Sequence, residues 1–250
     1  MILPADVDAL LDRLHHEAAD ILGENFVGLY VYGSLAMGGF DPDTSDVDFI
    51  VAIRSPLTAE QLNALEALHH RLLKDGGPWA KKLEGGYLPL ADLRRHNPEA
   101  GPFLFINEGQ IYQSGLGSDW AIQRQLLRTY PSAIVGPALV DHIDPVSPEQ
   151  IRDAVRLLFR EWWLPMLDRP DQLGREDYRA FAVLTMCRAL RLVATGDMVS
   201  KPEAARWALG AVEPRWHPAI RQAMTWKPGL PAPDIEDVTA MIRYVSRLVG

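Results

Sequence analysis

The sequence predicts an α+β protein in two parts: a mixed sheet flanked by helices, then an all-helical bundle. Three observations carry this. Strand-like apolar runs at Phe26–Tyr32, Val47–Ile53 and Ala80–Leu88 alternate with helical periods in the first half. A stretch dense in breakers, from Val135-Gly136-Pro137 to Asp144-Pro145-Val146-Ser147-Pro148, then interrupts the pattern. Beyond it every apolar period is helical. The expected domains are residues 1–147 and 148–250.

In order, Val7, Leu10, Leu11, Leu14, Ala18 and Ile21 repeat with a helical period over 6–22. Phe26–Tyr32 reads as a strand ending at Gly33-Ser34, and Val47–Ile53 as a second strand. Leu57–Leu73 reads as a helix that Thr58 caps with Gln61 three residues on, and Gly76-Gly77-Pro78 stops it. Ala80–Leu88 is the expected third strand. Phe103–Tyr112, rich in aromatic and β-branched residues, reads as a strand or hairpin, and Asp119–Thr129 as a helix. After the breakers, Ile151, Val155, Leu158, Phe159 and Trp162 form one stripe, which leaves Trp163 to pack elsewhere. Tyr178–Thr195 is apolar nearly all round. Pro202–Leu209 and Glu213–Trp226 are shorter helices, and Ile235 to Leu248 is a closing amphipathic one. No internal repeat or low-complexity tract is present.

The composition, 48% hydrophobic and 23% charged, is that of an ordinary soluble globular protein. No apolar run reaches transmembrane length. Met1-Ile2-Leu3-Pro4-Ala5-Asp6 has neither a basic region nor a cleavage signal, and the single Cys187 excludes an internal disulfide, so a cytoplasmic location is expected. The net charge of −8 argues against a nucleic-acid substrate, which requires a basic surface. Residues 1–147 carry a net −10 and residues 148–250 a net +2. This split suits metal and a cationic substrate on the first part and anion binding on the second, and suits equally an uneven solvated surface with no such role. His15-His16 and His69-His70 are adjacent pairs on helices, where neighbours do not face each other, so solvated rings are expected.

The most informative stretch is Gly33-Ser34-Leu35-Ala36-Met37-Gly38-Gly39-Phe40-Asp41-Pro42-Asp43-Thr44-Ser45-Asp46-Val47-Asp48. Asp46 and Asp48 are two apart, so on a strand they share a face. Paired carboxylates repel each other without a cation between them. Oxygen ligands of this kind suit Mg²⁺, which completes its shell with water and substrate phosphates. Gly33 permits close approach after the first strand, and Ser34 opens a short helix whose N–H groups and hydroxyl can hold phosphate.

This Gly-Ser…Ser-Asp-x-Asp pattern, with apolar strands on both sides, resembles the DNA polymerase β-like nucleotidyltransferase superfamily. On the third strand, Glu84 is the one carboxylate in Lys81-Lys82-Leu83-Glu84-Gly85-Gly86-Tyr87. The resemblance implies a third carboxylate here, as metal ligand or as general base. Ser34 and Ser45 are expected to bind phosphate. The run Leu184-Thr185-Met186-Cys187-Arg188-Ala189-Leu190, then Thr195 through Ala208 with Lys201-Pro202-Glu203, resembles the aminoglycoside adenylyltransferases that modify streptomycin and spectinomycin, as does Ile134-Val135-Gly136-Pro137. That resemblance covers the chain from Tyr32 to the final helix. It implies that Arg188 and Lys201 contact nucleotide phosphates, that ATP is the co-substrate, and that the acceptor is a small cationic molecule, with neither nucleic acid nor membrane involved.

The residues themselves also point to Arg188. It shares a helical stripe with Phe181, Leu184 and Leu192, where a guanidinium needs an anionic partner. Lys201 opens a helix, an end unfavourable to a cation. Candidate acids for a polycationic acceptor are Glu108, Asp119, Glu176 and Asp177, with Tyr112 and Tyr178 as further acceptor contacts. The streptomycin-modifying group carries a tryptophan and an aspartate where this chain has Asn107-Glu108-Gly109-Gln110 and Tyr178. The activity implied is Mg²⁺-dependent transfer of AMP from ATP to an acceptor hydroxyl, with release of pyrophosphate. Alternatives are a nucleotidyltransferase that modifies a protein, as in toxin–antitoxin pairs, and a non-catalytic nucleotide-binding regulator.

Overall fold

A computed structural model describes residues 3–97, 99–130, 133–169 and 171–250. The chain divides into two compact units. One is Met1–Phe40 with Ser45–Pro145; the other is Asp41–Thr44 with Val146–Gly250.

In the first unit, helix α1 (Ala5–Leu22) leads to β1 (Phe26–Val31) and the single turn α2 (Gly33–Ala36). Strand β2 (Val47–Ile53) lies antiparallel to β1. Helix α3 (Ala59–Asp75) opens with a capping box, in which Thr58 accepts from the Gln61 N–H and the Gln61 side chain accepts from the Thr58 N–H. The stretch expected to begin the third strand is instead a 3₁₀ turn, Pro78–Lys82, with proline at its start, and β3 runs from Leu83 to Pro89. It pairs parallel to β2, and α3 forms the crossover. Then follow α4 (Leu90–Arg94), the hairpin β4 (Phe103–Asn107) and β5 (Gln110–Ser114), α5 (Trp120–Thr129) and β6 (Ala133–Val135). The strand order is β5-β4-β3-β2-β1-β6.

Both faces of this sheet are covered. Leu29, Val31, Phe49, Val51 and Ile106 pack with Leu14 of α1 and Leu65 and Leu68 of α3. On the other face Tyr30, Tyr32, Ile50, Ala52, Leu88 and Phe103 pack with Trp120 and Leu127 of α5. Buried Arg124 fixes α5 by donating from Nε to the Leu93 carbonyl at 2.9 Å and from its guanidinium to the Asp144 carbonyl at 3.3 Å.

The second unit is helical: α6 (Pro148–Leu158), a π-helical turn at Phe159–Trp163, α7 (Leu164–Met166), α8 (Glu176–Thr195), α9 (Lys201–Ala211), α10 (His217–Thr225) and α11 (Ile235–Val249). Helix α8 is central, with Ala182, Val183, Met186 and Cys187 fully buried. The stripe expected to run through Trp162 runs through Trp163 instead, which packs as expected. Trp163 is 2% exposed and Trp162 is 46% exposed. The π turn takes up one extra residue, so the apolar face continues from Val155 through Phe159 to Trp163. The segment Asp41–Thr44 joins this unit, with Lys227 Nζ 2.7 Å from Asp43 Oδ2 and 4.0 Å from Asp41 Oδ2. Among the described residues no helix is long and apolar enough to cross a membrane.

His69 is buried rather than solvated. Its Nε2 lies 2.8 Å from the Tyr87 hydroxyl, and its ring stacks near Phe49. Desolvation, and then His70, push it from its ordinary 6.5 down to about 3. Over that interval the unfolded chain binds the proton and the folded chain does not. The stabilisation from a neutral His69 is therefore present above pH 6.5 and drains away as pH falls. Between pH 7 and pH 5 the protein should lose about 2 kcal/mol more stability than a His69→Gln variant, read from urea midpoints at both pH values. Equal losses would remove His69 as the source of acid sensitivity.

Candidate active site

The parallel register sets Asp48 directly opposite Glu84. The two lie on the sheet face that also carries Tyr32 and Ile50, and both are half-buried. Strand β3 has neighbours on both sides, so Glu84 is not an edge-strand glutamate. Asp46 lies just before β2 and is exposed.

Gly33 closes this corner. Its φ is +58°, and a Cβ there would meet Asp48 Oδ2 at 1.9 Å. Its lack of a side chain therefore lets the Asp48 carboxylate lie against the turn. The Tyr32 N–H donates to the Asp48 carbonyl at 3.1 Å and ties the turn to β2. In the next residue, the Ser34 hydroxyl is buried and has no hydrogen-bond partner among the described residues. A buried hydroxyl left this way is costly unless a ligand completes it. The Ser45 carbonyl accepts from Lys82 Nζ at 3.2 Å, and that ammonium also lies 4.9 Å from the centre of the Trp79 ring. No role for Lys82 was evident in the sequence; it ends the 3₁₀ turn just before β3.

The donor set fits a hard divalent cation. Asp46, Asp48 and Glu84 offer carboxylate oxygens only, and a phosphate-sized anion would satisfy the Ser34 hydroxyl. Elsewhere on the unit, Asp12, His15 and His16 bring one ligand atom each within 4.8 Å of one another on the surface of α1. Contrary to the expectation for sequence neighbours on a helix, the His15 and His16 ring centres lie 4.7 Å apart, and Asp12, one turn earlier, is 3.4 Å from His16 Nδ1.

Glu84 borders an aromatic patch. Gly86, two residues along β3, leaves room for the Phe105 ring, which a Cβ would meet at 2.6 Å. Phe105 stacks on Tyr112 at 6.0 Å and meets Trp120 at 6.2 Å. Burial, then Asp48, Glu84, Asp119 and Tyr112, hold the Tyr32 hydroxyl well above its ordinary value. Tyr112 is raised by burial, then by Glu84 and Asp119. Glu108 occupies the tip of the β4–β5 hairpin, exposed and at φ 46°.

In the second unit Arg188 is half-buried on α8, with Leu184 and the exposed Phe181 on its stripe. This is the open side of the helix, not its core face. Lys201 is the first residue of α9, and its Nζ lies 4.3 Å from the centre of the Phe181 ring. Phe181 precedes Arg188 by two helical turns, so both cations border one side of α8. The Tyr178 hydroxyl accepts from Trp162 Nε1 at 2.9 Å, and Asp177 is paired with Arg175 at 2.6 Å.

A model of the aminoglycoside adenylyltransferase C-terminal domain matches residues 141–249, and a nucleotidyltransferase domain model matches residues 16–78. An aminoglycoside (3'') (9) adenylyltransferase of Klebsiella pneumoniae is 24% identical, with 86% of each chain covered. Together these matches support an aminoglycoside adenylyltransferase-like enzyme. A spectinomycin 9-adenylyltransferase of Staphylococcus aureus is 27% identical, over 76% of this chain and 73% of the relative. The solved structure of the enterococcal spectinomycin adenyltransferase AAD(9), with ATP and spectinomycin, has the same fold. Its TM-score is 0.77 at 20% identity, covering 97% of this chain and 98% of that one.

Gly33→Ala tests this corner of the site. The variant should stay folded, with a cost of roughly 1–2 kcal/mol for a side chain at positive φ. Displacement of Asp48 should cost about 10²-fold in nucleotidyl transfer. Thermal melts and initial rates measured together check this; a folded variant with normal rates would show that Asp48 need not lie against Gly33.

Proposed function

We propose that this protein transfers AMP from ATP to a hydroxyl of an aminoglycoside or aminocyclitol of the streptomycin or spectinomycin kind, with release of pyrophosphate. The observation that carries the reading is the Asp48–Glu84 pair in register over Gly33, beside a buried Ser34 hydroxyl with no partner among the described residues. The family's own activity supports the adenylyl group and the small cationic acceptor. The net charge of −8 favours such an acceptor over a nucleic acid.

Asp46 and Asp48 would hold Mg²⁺, which supplies charge neutralisation at the triphosphate, and Glu84, the third carboxylate of the set, acts mainly as the base. Ser34 and Ser45 bind phosphate next to Gly33. Arg188 and Lys201 place positive charge on the phosphates, including the charge that builds up on the departing pyrophosphate. Glu84 accepts the proton of the acceptor hydroxyl as its oxygen bonds to the α-phosphorus. The bond from that phosphorus to the bridging oxygen breaks, and pyrophosphate carries the electron pair away.

Incubation with ATP, Mg²⁺ and a panel of aminoglycosides should add one AMP to an acceptor by mass spectrometry. Label on protein instead would favour a protein-modifying enzyme, and no transfer at all a nucleotide-binding regulator. Glu84→Gln should bind MgATP nearly normally while turnover falls roughly 10²–10⁴-fold and the acidic limb of the pH–rate profile disappears. If affinity falls with rate, Glu84 is mainly a metal ligand. Arg188→Ala should weaken MgATP binding by about 10-fold or more, measured by calorimetry. Unchanged affinity would place Arg188 in a structural ion pair.

A further inference from the structure

Four acids were candidates to receive a cationic acceptor, and their surroundings separate them. Asp177 is bound by Arg175, whose guanidinium holds its carboxyl below the usual range. Glu176 lies 3.7 Å from Arg179 on the same helix turn. Glu108 is at a hairpin tip. Asp119 is different. It is half-buried at the N-cap of α5, where an aspartate ordinarily accepts from the helix's first N–H groups, yet its carboxylate makes no such capping bond.

Its contacts lead toward Glu84. Oδ2 accepts from Gln123 Nε2 at 3.4 Å, which orients the carboxylate. The oxygen of the same amide, Gln123 Oε1, is buried and has no partner among the described residues. The following residue, Trp120, meets Phe105, which stacks on Tyr112 and lies over Gly86, two residues from Glu84. The charges of Glu84 and Asp119 both act on Tyr32 and on Tyr112. Tyr112 is 43% exposed, so this aromatic surface is open to a ligand beside the carboxylate. A carboxylate next to an accessible aromatic face suits a protonated amine carried on a saturated ring, by ion pairing together with ring stacking and cation–π attraction.

Resting on the acceptor class proposed above, we propose that Asp119 determines acceptor specificity. It receives a protonated amine borne by the same ring as the reacting hydroxyl, while the Tyr112 ring covers that ring's apolar face. Gln123 is a positioning residue that orients Asp119. Acceptors are then amino-substituted cyclitols or sugars, and their neutral or N-acylated counterparts are poor substrates.

The test uses the full chain with ATP and Mg²⁺, and spectinomycin and its N-acylated derivative as probes. Wild type should prefer the free amine. Asp119→Asn, which keeps the size and removes the charge, should raise the spectinomycin KM by about 10-fold or more and leave the ATP KM unchanged. The two probes should also converge in kcat/KM, which a merely structural role would not produce. Tyr112→Ala should raise the acceptor KM while Tyr112→Phe does not, and as a surface substitution it keeps the proposal testable if the Asp119 variant misfolds. An Asp119→Asn enzyme that still discriminates the probes, or that loses ATP and acceptor affinity alike, overturns the specificity role and leaves the adenylyl transfer reading standing. Failure of wild type to modify spectinomycin, streptomycin or any other aminocyclitol overturns the acceptor class and this role together.

Discussion

The parallel pairing of β2 with β3 is the constraint on which the candidate site rests. Side chains alternate along a strand, so a slip of one residue would turn Glu84 to the opposite face from Asp48. Several features prevent it. Both strands are buried on both faces, and Asp48 and Glu84 are the positions that escape full burial. Slippage would drive a carboxylate into the layer of Phe49, Leu65 and Leu68, at the cost of an unpaired buried charge. The crossover is fixed at both ends as well, by the Thr58–Gln61 capping box and by the Gly76–Pro78 stop before the 3₁₀ turn. Apolar packing thus fixes the place of the two groups that are not apolar.

This placement concentrates negative charge. Asp48 and Glu84 are lateral neighbours, and Asp119, like Glu84, acts on both Tyr32 and Tyr112. Gly33 lets the Asp48 carboxylate lie against the turn, and the Ser34 hydroxyl beside it is buried without a partner among the described residues. A fold that tolerates adjacent carboxylates beside an unsatisfied hydroxyl holds unfavourable terms that a cation and a phosphate would relieve together. Relief of both by one metal–nucleotide pair is more economical than two unrelated explanations.

Much of this was legible in the sequence, because the signals are local. The span of β2, the cap of α3 and the position of Glu84 follow from period, turn chemistry and motif spacing. The misses arise where distant contacts decide. The late start of β3 reflects a 3₁₀ turn that satisfies Trp79, whose Nε1 donates to Asp6 at 2.6 Å. The exposure of Trp162 depends on a π turn that no propensity scale marks. His69 is buried because Tyr87 supplies a partner two elements away. Arg124 reads as an ordinary surface arginine, yet it binds backbone carbonyls that a linear pattern cannot bring near it. The union of Asp41–Thr44 with the helical unit rests on Lys227, 184 residues from Asp43.

The acids proposed for the acceptor show most clearly where sequence reading stops. Asp119 and Asp177 look alike in sequence, since each lies at the start of a helix with an aromatic residue immediately after it. Their difference is made by neighbours. Arg175, two residues before Asp177, neutralises it locally, so a cationic acceptor would have to displace an existing ion pair. Asp119 has a neutral amide for a partner and aromatic rings alongside. Charge on a half-buried carboxylate held only by an amide remains available to a mobile cation, whereas charge already matched by a guanidinium does not. Recognition of a cation is thus governed by which acids the fold leaves uncompensated rather than by how many the sequence contains.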